Sequence, residues 1–272
     1  MAFQLEDEYE SLLLARQQKY PVLKKPGQEI QEIVDILETN GMVIIKDAFE
    51  PQELISLGAE LAPLFEDPSV TQPKVVDNTL YMTKIVQPLT KNNRLVKLAT
   101  HGALEEIAMT YLKCAPGLAS ANVRKTFPHD GPLFGNQNFH VDRNSKRFIK
   151  FFFYLNDVDI NGGPFTYVAG SSDQKFEDWD KHYNWPPDSI EKIYGVDRII
   201  PATANVGDLI IANTTGFHRG MKPKTTPRTM ITFNYMVHPE SAAHTRFQVS
   251  KDAYENIPLE RRYLLDFLEV TE

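Results

Sequence analysis

Asn138-Phe139-His140-Val141-Asp142 and, farther on, Asn213-Thr214-Thr215-Gly216-Phe217-His218-Arg219-Gly220 are the stretches on which the reading of this chain turns. In the first, an imidazole and a carboxylate stand two positions apart. Extended backbone sends residues i and i+2 to the same face, so both groups can approach one metal ion from one side. The second stretch supplies another imidazole, His218, just past the apolar run Leu209-Ile210-Ile211-Ala212, with Gly216 and Gly220 leaving room for tight backbone. Two histidines and one carboxylate form the facial donor set that suits iron(II) and leaves the opposite coordination face open for a co-substrate and dioxygen.

Arg228 follows His218 by ten positions and opens the run Thr229-Met230-Ile231-Thr232-Phe233-Asn234-Tyr235. A guanidinium pointing into an apolar barrel needs an anion, and its planar fork matches a carboxylate through two hydrogen bonds. The distal carboxylate of 2-oxoglutarate meets that need.

Around these residues the sequence alternates as β structure. Ala121 to Phe127, Arg147 to Leu155, Phe165 to Val168, Arg198 to Ile200, Asp208 to Ala212 and Thr229 to Val237 are short apolar or alternating runs bounded by Gly, Pro, Asn and Asp. Before them, helical spacing dominates the first 115 residues: Glu6 to Tyr20, Gln28 to Thr39 with a stop at Asn40-Gly41, Pro51 to Phe65, and one long helix over Asn93 to Leu112, with Met42 to Ile45 as a strand. The expected fold is mainly β with flanking α-helices, a double-stranded β-helix (jelly roll, cupin-like) core. The whole chain, 1–272, reads as one domain: a helical part to about 115, a jelly-roll core over about 119–240 and a C-terminal extension over 241–272. Residues 174–194, with Trp179, Tyr183 and Trp185, are too long for a hairpin turn and form an insertion, either a lid over the metal or a structural cluster.

Composition narrows the partners. With 42% hydrophobic and 24% charged residues the chain can bury one large core, and its formal charge of -7 argues against nucleic acid or an anionic membrane and for a small-molecule substrate. No signal peptide or spanning segment is read, so the expected location is the cytoplasm; the sequence sets no oligomeric state. The single cysteine, Cys114, has no thiol partner and reads as buried and inert.

The matching elements His140-x-Asp142, His218, Arg228, Phe153-Tyr154-Leu155-Asn156-Asp157-Val158, Gly163-Pro164-Phe165 and Val168-x-Gly170-Ser171 resemble the phytanoyl-CoA dioxygenase-like family of iron(II) and 2-oxoglutarate oxygenases. The resemblance covers roughly Met42 to Val237. It implies His140, Asp142 and His218 as metal ligands, Arg228 on the co-substrate, and oxidation of a small organic molecule by dioxygen with release of succinate and carbon dioxide. Met230, two places after Arg228, stands where related oxygenases often carry a hydroxyl, which removes one hydrogen bond but not the ion pair. Related halogenases replace the carboxylate ligand by a small residue. Asp142 is present, so the expected outcome is hydroxylation rather than halogenation, with desaturation, epoxidation and ring closure open to the same triad.

Other readings of single residues stay open. Taken alone, His140 and Asp142 read rather as an ordinary surface pair on a half-exposed strand; His218 and Arg228 turn the reading to a metal site. Asn122, Arg124 and Thr126 alternate along one strand; they are either further co-substrate or substrate contacts or a solvent-facing polar stripe. Phe152 and Tyr154 read as core. His238-Pro239-Glu240 has only His244 after it and reads as a strand-end turn, His129-Asp130-Gly131 as a loop, and His101 and His182 as solvated. Two other functions use the same donors: a zinc hydrolase, which has no need of Arg228, and an idle metal-binding jelly roll, against which the open coordination face argues.

Overall fold

Helical and alternating periodicities divide the chain as its sequence suggests, with corrections in the first half. The structure, a computed structural model, describes residues 2–21, 25–143, 145–238 and 246–272. Helix α1 (Ala2–Lys19) is followed by α2 (Gln28–Asn40), which buries Val34 and Leu37 and stops at Gly41. There φ is 79° and the glycine amide donates to the Leu37 carbonyl, a C-cap that L side chains disfavour. Strand β1 (Met42–Ile45) starts at once. In α3 (Pro51–Leu61), proline occupies the first turn, where no amide is needed, and Leu54, Leu57 and Leu61 face inward.

The first 115 residues hold more than helices. β2 (Thr71–Val76) and β3 (Thr79–Ile85) form a hairpin around Asp77 and Asn78, both at positive φ (47° and 62°), the two-residue turn whose twist matches its strands. The expected helix over Asn93 to Leu112 is two: α4 (Asn93–Ala99) and α5 (Gly102–Leu112). Thr100 bonds back to the Val96 carbonyl and ends the first, while the His101 imidazole accepts from the Ala103 amide and caps the second. His101, read as solvated, has a structural use.

The remaining strands are β4 (Gly117–Thr126), β5 (Phe148–Tyr154), β6 (Phe165–Val168), β7 (Ile199–Pro201), β8 (Leu209–Ala212), β9 (His218–Gly220) and β10 (Arg228–Met236), with α6 (Pro187–Tyr194) inside the insertion. β11 (Gln248–Ser250), α7 (Lys251–Glu255) and β12 (Glu269–Thr271) follow. One antiparallel sheet of seven strands runs β1-β8-β5-β10-β4-β3-β2, and a three-stranded sheet runs β7-β6-β9. This is the jelly-roll core with flanking helices.

β5 shows how the layers form. Ile149, Phe151 and Phe153 enter the core that α2, α3 and α5 cover, while Phe152 and Tyr154 point the other way, against Phe165 and Tyr167 of the small sheet. Both faces are buried, which is why the strand reads as a continuous apolar run. Lys150 breaks that run on the inner face. Among the described residues no helix is long and apolar enough to cross a membrane.

The insertion is a packed cluster. Phe176, Trp179, Trp185 and Tyr194 lie against Phe139, Val141, Ile190 and Phe217, and Trp185 exchanges backbone hydrogen bonds with Phe139. Tyr183 is the exception, 66% exposed. Pro239, Glu240 and His244 lie outside the described residues.

Candidate metal centre

His140 and Asp142 come from an extended segment that belongs to neither sheet. It is held by single bridges, Phe139 to Trp185 and His140 to His218, so the alternation is present without a full strand. The His140 and His218 backbones exchange two hydrogen bonds of 3.0 Å, and the Asp142 amide donates to the Thr214 carbonyl over 2.9 Å. These contacts bring residues far apart in sequence to one point: ligand atoms of His140, Asp142 and His218 all lie within 4.8 Å of one another.

Both imidazoles are oriented alike. His140 Nδ1 sits 3.1 Å from the Asn138 carbonyl and His218 Nδ1 2.9 Å from the Gly216 carbonyl, each two residues back. A carbonyl can only accept, so Nδ1 carries a proton in each ring and Nε2 is the nitrogen turned to the centre. His218 Nε2 lies 3.4 Å from Asp142 Oδ2. Burial, then the neighbouring His218, lowers the His140 pKa to about 3, so its imidazole is neutral and ready to ligate. Burial would raise the pKa of Asp142, but Lys150 above all, and then His218, outweigh it and hold the carboxyl well below its ordinary range.

The ligands open into a cavity of about 230 Å³ walled by Phe152, Phe165 and Met230. Arg228 closes its far end. The residue is 3% exposed, Nη1 reaches the Met221 carbonyl at 3.4 Å and Nε has no partner among the described residues. It rests on Gly220, two positions along β9 from His218; at strand rise that is about 7 Å of backbone on one face. Burial lowers its pKa, yet it stays a cation at any ordinary pH.

Of the three alternating residues on β4, Arg124 lines the cavity; Asn122 and Thr126 share its face of the sheet, opposite Thr232 and Arg228, without lining it. Phe152, read as core, is also cavity wall. Lys150 escaped the sequence reading: its Nζ lies 2.5 Å from Asp142 Oδ2, and the only signal was a lysine on the inner face of an apolar strand. Thr232 Oγ1 and Asn234 Oδ1, on the same face of β10 as Arg228, are buried without partners among the described residues. Tyr183 stacks over His140, ring centroids 6.1 Å apart. His129 bonds Gln137 and stacks on Phe134, and His182 packs edge-on to Trp185; neither joins the centre.

No family model matches the sequence, and no curated protein matches it. Solved structures do. The epimerase SnoN, in complex with Fe3+, alpha-ketoglutarate and nogalamycin RO, superposes with a TM-score of 0.62 at 16% identity over 76% of this chain and 83% of that one. EctD from S. alaskensis with bound Fe gives 0.60 at 14% identity over 79% and 77%. HygX from Streptomyces hygroscopicus with nickel, 2-oxoglutarate and hygromycin B gives 0.55 at 18% identity over 88% and 96%. At these identities the likeness is one of fold.

Proposed function

We propose that this chain is a mononuclear iron(II) and 2-oxoglutarate dependent oxygenase of the phytanoyl-CoA dioxygenase-like type that hydroxylates a small organic molecule. The observation that carries the reading is the pairing of two features in one cavity: three convergent donors, His140, Asp142 and His218, and a buried Arg228, its Nε without a partner among the described residues, packed on Gly220 two residues beyond His218. The donor set fits iron(II), since two imidazoles and one carboxylate converge on one point beside the cavity. Arg228 fits a carboxylate at the opposite end. Similar folds hold these groups: iron and alpha-ketoglutarate in SnoN, nickel and 2-oxoglutarate in HygX.

When bound, the metal and 2-oxoglutarate supply the oxidising chemistry, in which dioxygen is consumed, succinate and carbon dioxide leave, and one oxygen atom enters a substrate C–H bond. The chain's own residues do the rest. The Asn138 and Gly216 carbonyls hold the two imidazoles in the ligating tautomer. Arg228 anchors and orients the co-substrate through its far carboxylate. Phe152, Phe165 and Met230 exclude water from the reacting atoms, which strengthens every charge interaction there. Asp142 keeps the third ligand position, so hydroxylation is favoured over halogenation.

Anaerobic addition of iron(II) and then 2-oxoglutarate to the purified protein tests this. A visible charge-transfer absorption, followed by succinate on admitting air, is expected. Metal binding with neither signal would favour the zinc hydrolase, for which Arg228 has no use.

A further inference from the structure

Arg124 is left without a partner by the site as described. It lines the cavity, yet no hydrogen bond or ion pair joins its guanidinium to another described residue. Burial and the neighbouring Arg228 push its pKa down to about 10, with Asp142 opposing only in part. Lys84 on β3 is in the same position: burial, then Lys74 and Arg124, lower its pKa.

Strand register puts these cations on one face. Arg124 is paired with Lys84 on one side and Met230 on the other, and Lys74 is paired with Met82, itself opposite Thr126 and through it Arg228. Cross-strand partners share a face, so Lys74, Lys84 and Arg124 run from the edge strand β2 to the cavity, with Arg228 at the inner end. Like charges directly opposite one another on neighbouring strands destabilise a sheet. Lys84 opposite Arg124 therefore costs stability, a local violation of the kind expected at a binding site.

The charges already assigned do not answer this stripe. Lys150 is engaged by Asp142, the one acidic residue among the described cavity lining. Of the two carboxylates of 2-oxoglutarate, one falls to Arg228 and the other to the metal, which leaves at most one free oxygen for the two cations Lys84 and Arg124. That oxygen cannot answer two positive charges.

We infer that Lys74, Lys84 and Arg124 form a second anion site, which binds an oxyanion of the primary substrate, a carboxylate or phosphate, and so places its C–H bond at the metal. Arg124 grips the anion inside the cavity, Lys84 flanks it, and Lys74 draws it in from the mouth. The inference rests on the oxygenase reading for what happens to the substrate, and on the stripe itself for what is bound.

The full-length protein, loaded with manganese(II) and 2-oxoglutarate, can be titrated calorimetrically with phenyl phosphate, benzoate and, as the neutral match, benzamide. At least one oxyanion should bind and benzamide should not; which oxyanion binds names the class. Arg124→Met should weaken that binding about tenfold or more, and Lys84→Met about threefold, as expected for charge-assisted contacts at a partly solvated site. Affinity for 2-oxoglutarate should stay at the wild-type level in both variants. Lys84 is only partly buried, so its variant keeps the test available if Arg124→Met does not fold. Failure of both oxyanions to bind, equal binding of benzamide, or loss of 2-oxoglutarate affinity in Arg124→Met would overturn the second site. Oxyanion binding that depends on Arg124 in a protein that never binds 2-oxoglutarate would overturn the oxygenase reading alone.

Discussion

The Arg228 guanidinium occupies the space that a side chain on Gly220 would need: a Cβ built there comes within 2.8 Å of Nη2. Gly220 lies two positions beyond His218, so a missing methyl group on β9 creates the niche that aims the arginine at the metal centre. Gly220→Ala should move the flexible end of Arg228 a few tenths of an ångström and weaken 2-oxoglutarate binding modestly. Gly220→Val should weaken it about tenfold or more, as small misplacements of a positioning group do. Calorimetry with manganese-loaded protein measures both, and wild-type affinity in Gly220→Val would show that the niche does not set the arginine's aim.

Arg228→Ala removes the proposed anchor itself. The expected loss in 2-oxoglutarate affinity is on the order of 2–5 kcal/mol, the cost of truncating one partner of a buried charged pair. An unchanged co-substrate requirement in succinate assays would assign that carboxylate to another residue.

His140→Ala and His218→Ala should each weaken iron(II) binding more than about a hundredfold, beyond what loss of a supporting hydrogen bond causes. Equilibrium dialysis under nitrogen reads this directly. Full affinity in both variants would dismantle the triad.

Lys150→Met should destabilise the metal-free protein and enlarge the stabilisation that metal gives. The ammonium is the closest charge to Asp142, both groups are less than a fifth exposed, and removing one partner leaves a mostly buried carboxylate unpaired. A fully buried pair would cost 3–5 kcal/mol to break; partial solvation reduces this to about 2 kcal/mol. Melting curves with and without manganese(II) should therefore diverge by several degrees more in the variant than in wild type. Equal increments would mean that Lys150 is no substitute for the metal's charge.

The metal-free protein should lose stability as pH falls below about 6.5. His140 has its folded pKa lowered from 6.5 to about 3 by burial and by His218, so over that window the unfolded chain binds a proton that the folded chain refuses. Stability is full above the unfolded value and declines on acidification. Denaturant midpoints between pH 7 and pH 4 should show a shallower decline for His140→Gln, which cannot take up that proton; identical slopes would place the acid sensitivity elsewhere.

What the sequence determined by itself was local chemistry. His140 and Asp142 are two residues apart, so extended backbone aims both to one side wherever the segment lies. Arg228 opens a β-rich run whose alternation assigns it an inner face, and Gly41 and Pro51 punctuate helices through their own torsions. The core strands were legible for the same reason. The β2–β3 hairpin was missed because β2 is largely exposed and β3 buries only the short alternation Tyr81, Thr83 and Ile85, which leaves Asp77-Asn78 as the clearest sign. The break between α4 and α5 was missed because Thr100 and His101 differ little from helical residues until their hydrogen bonds are seen.

Tertiary structure alone decided which distant residues meet. Backbone pairing of His140 with His218 closes the triad, and pairing of β5 with β10 carries Lys150 to the Asp142 end of the cavity while Arg228 stays at the other. The cationic stripe exists only through the register of β2, β3, β4 and β10, since Lys74, Lys84, Arg124 and Arg228 have no common spacing along the chain. Periodicity fixes the face on which a side chain lies because it acts over a few residues. Which faces come together depends on long-range strand pairing and on burial of the whole core, and neither is a property of any short stretch.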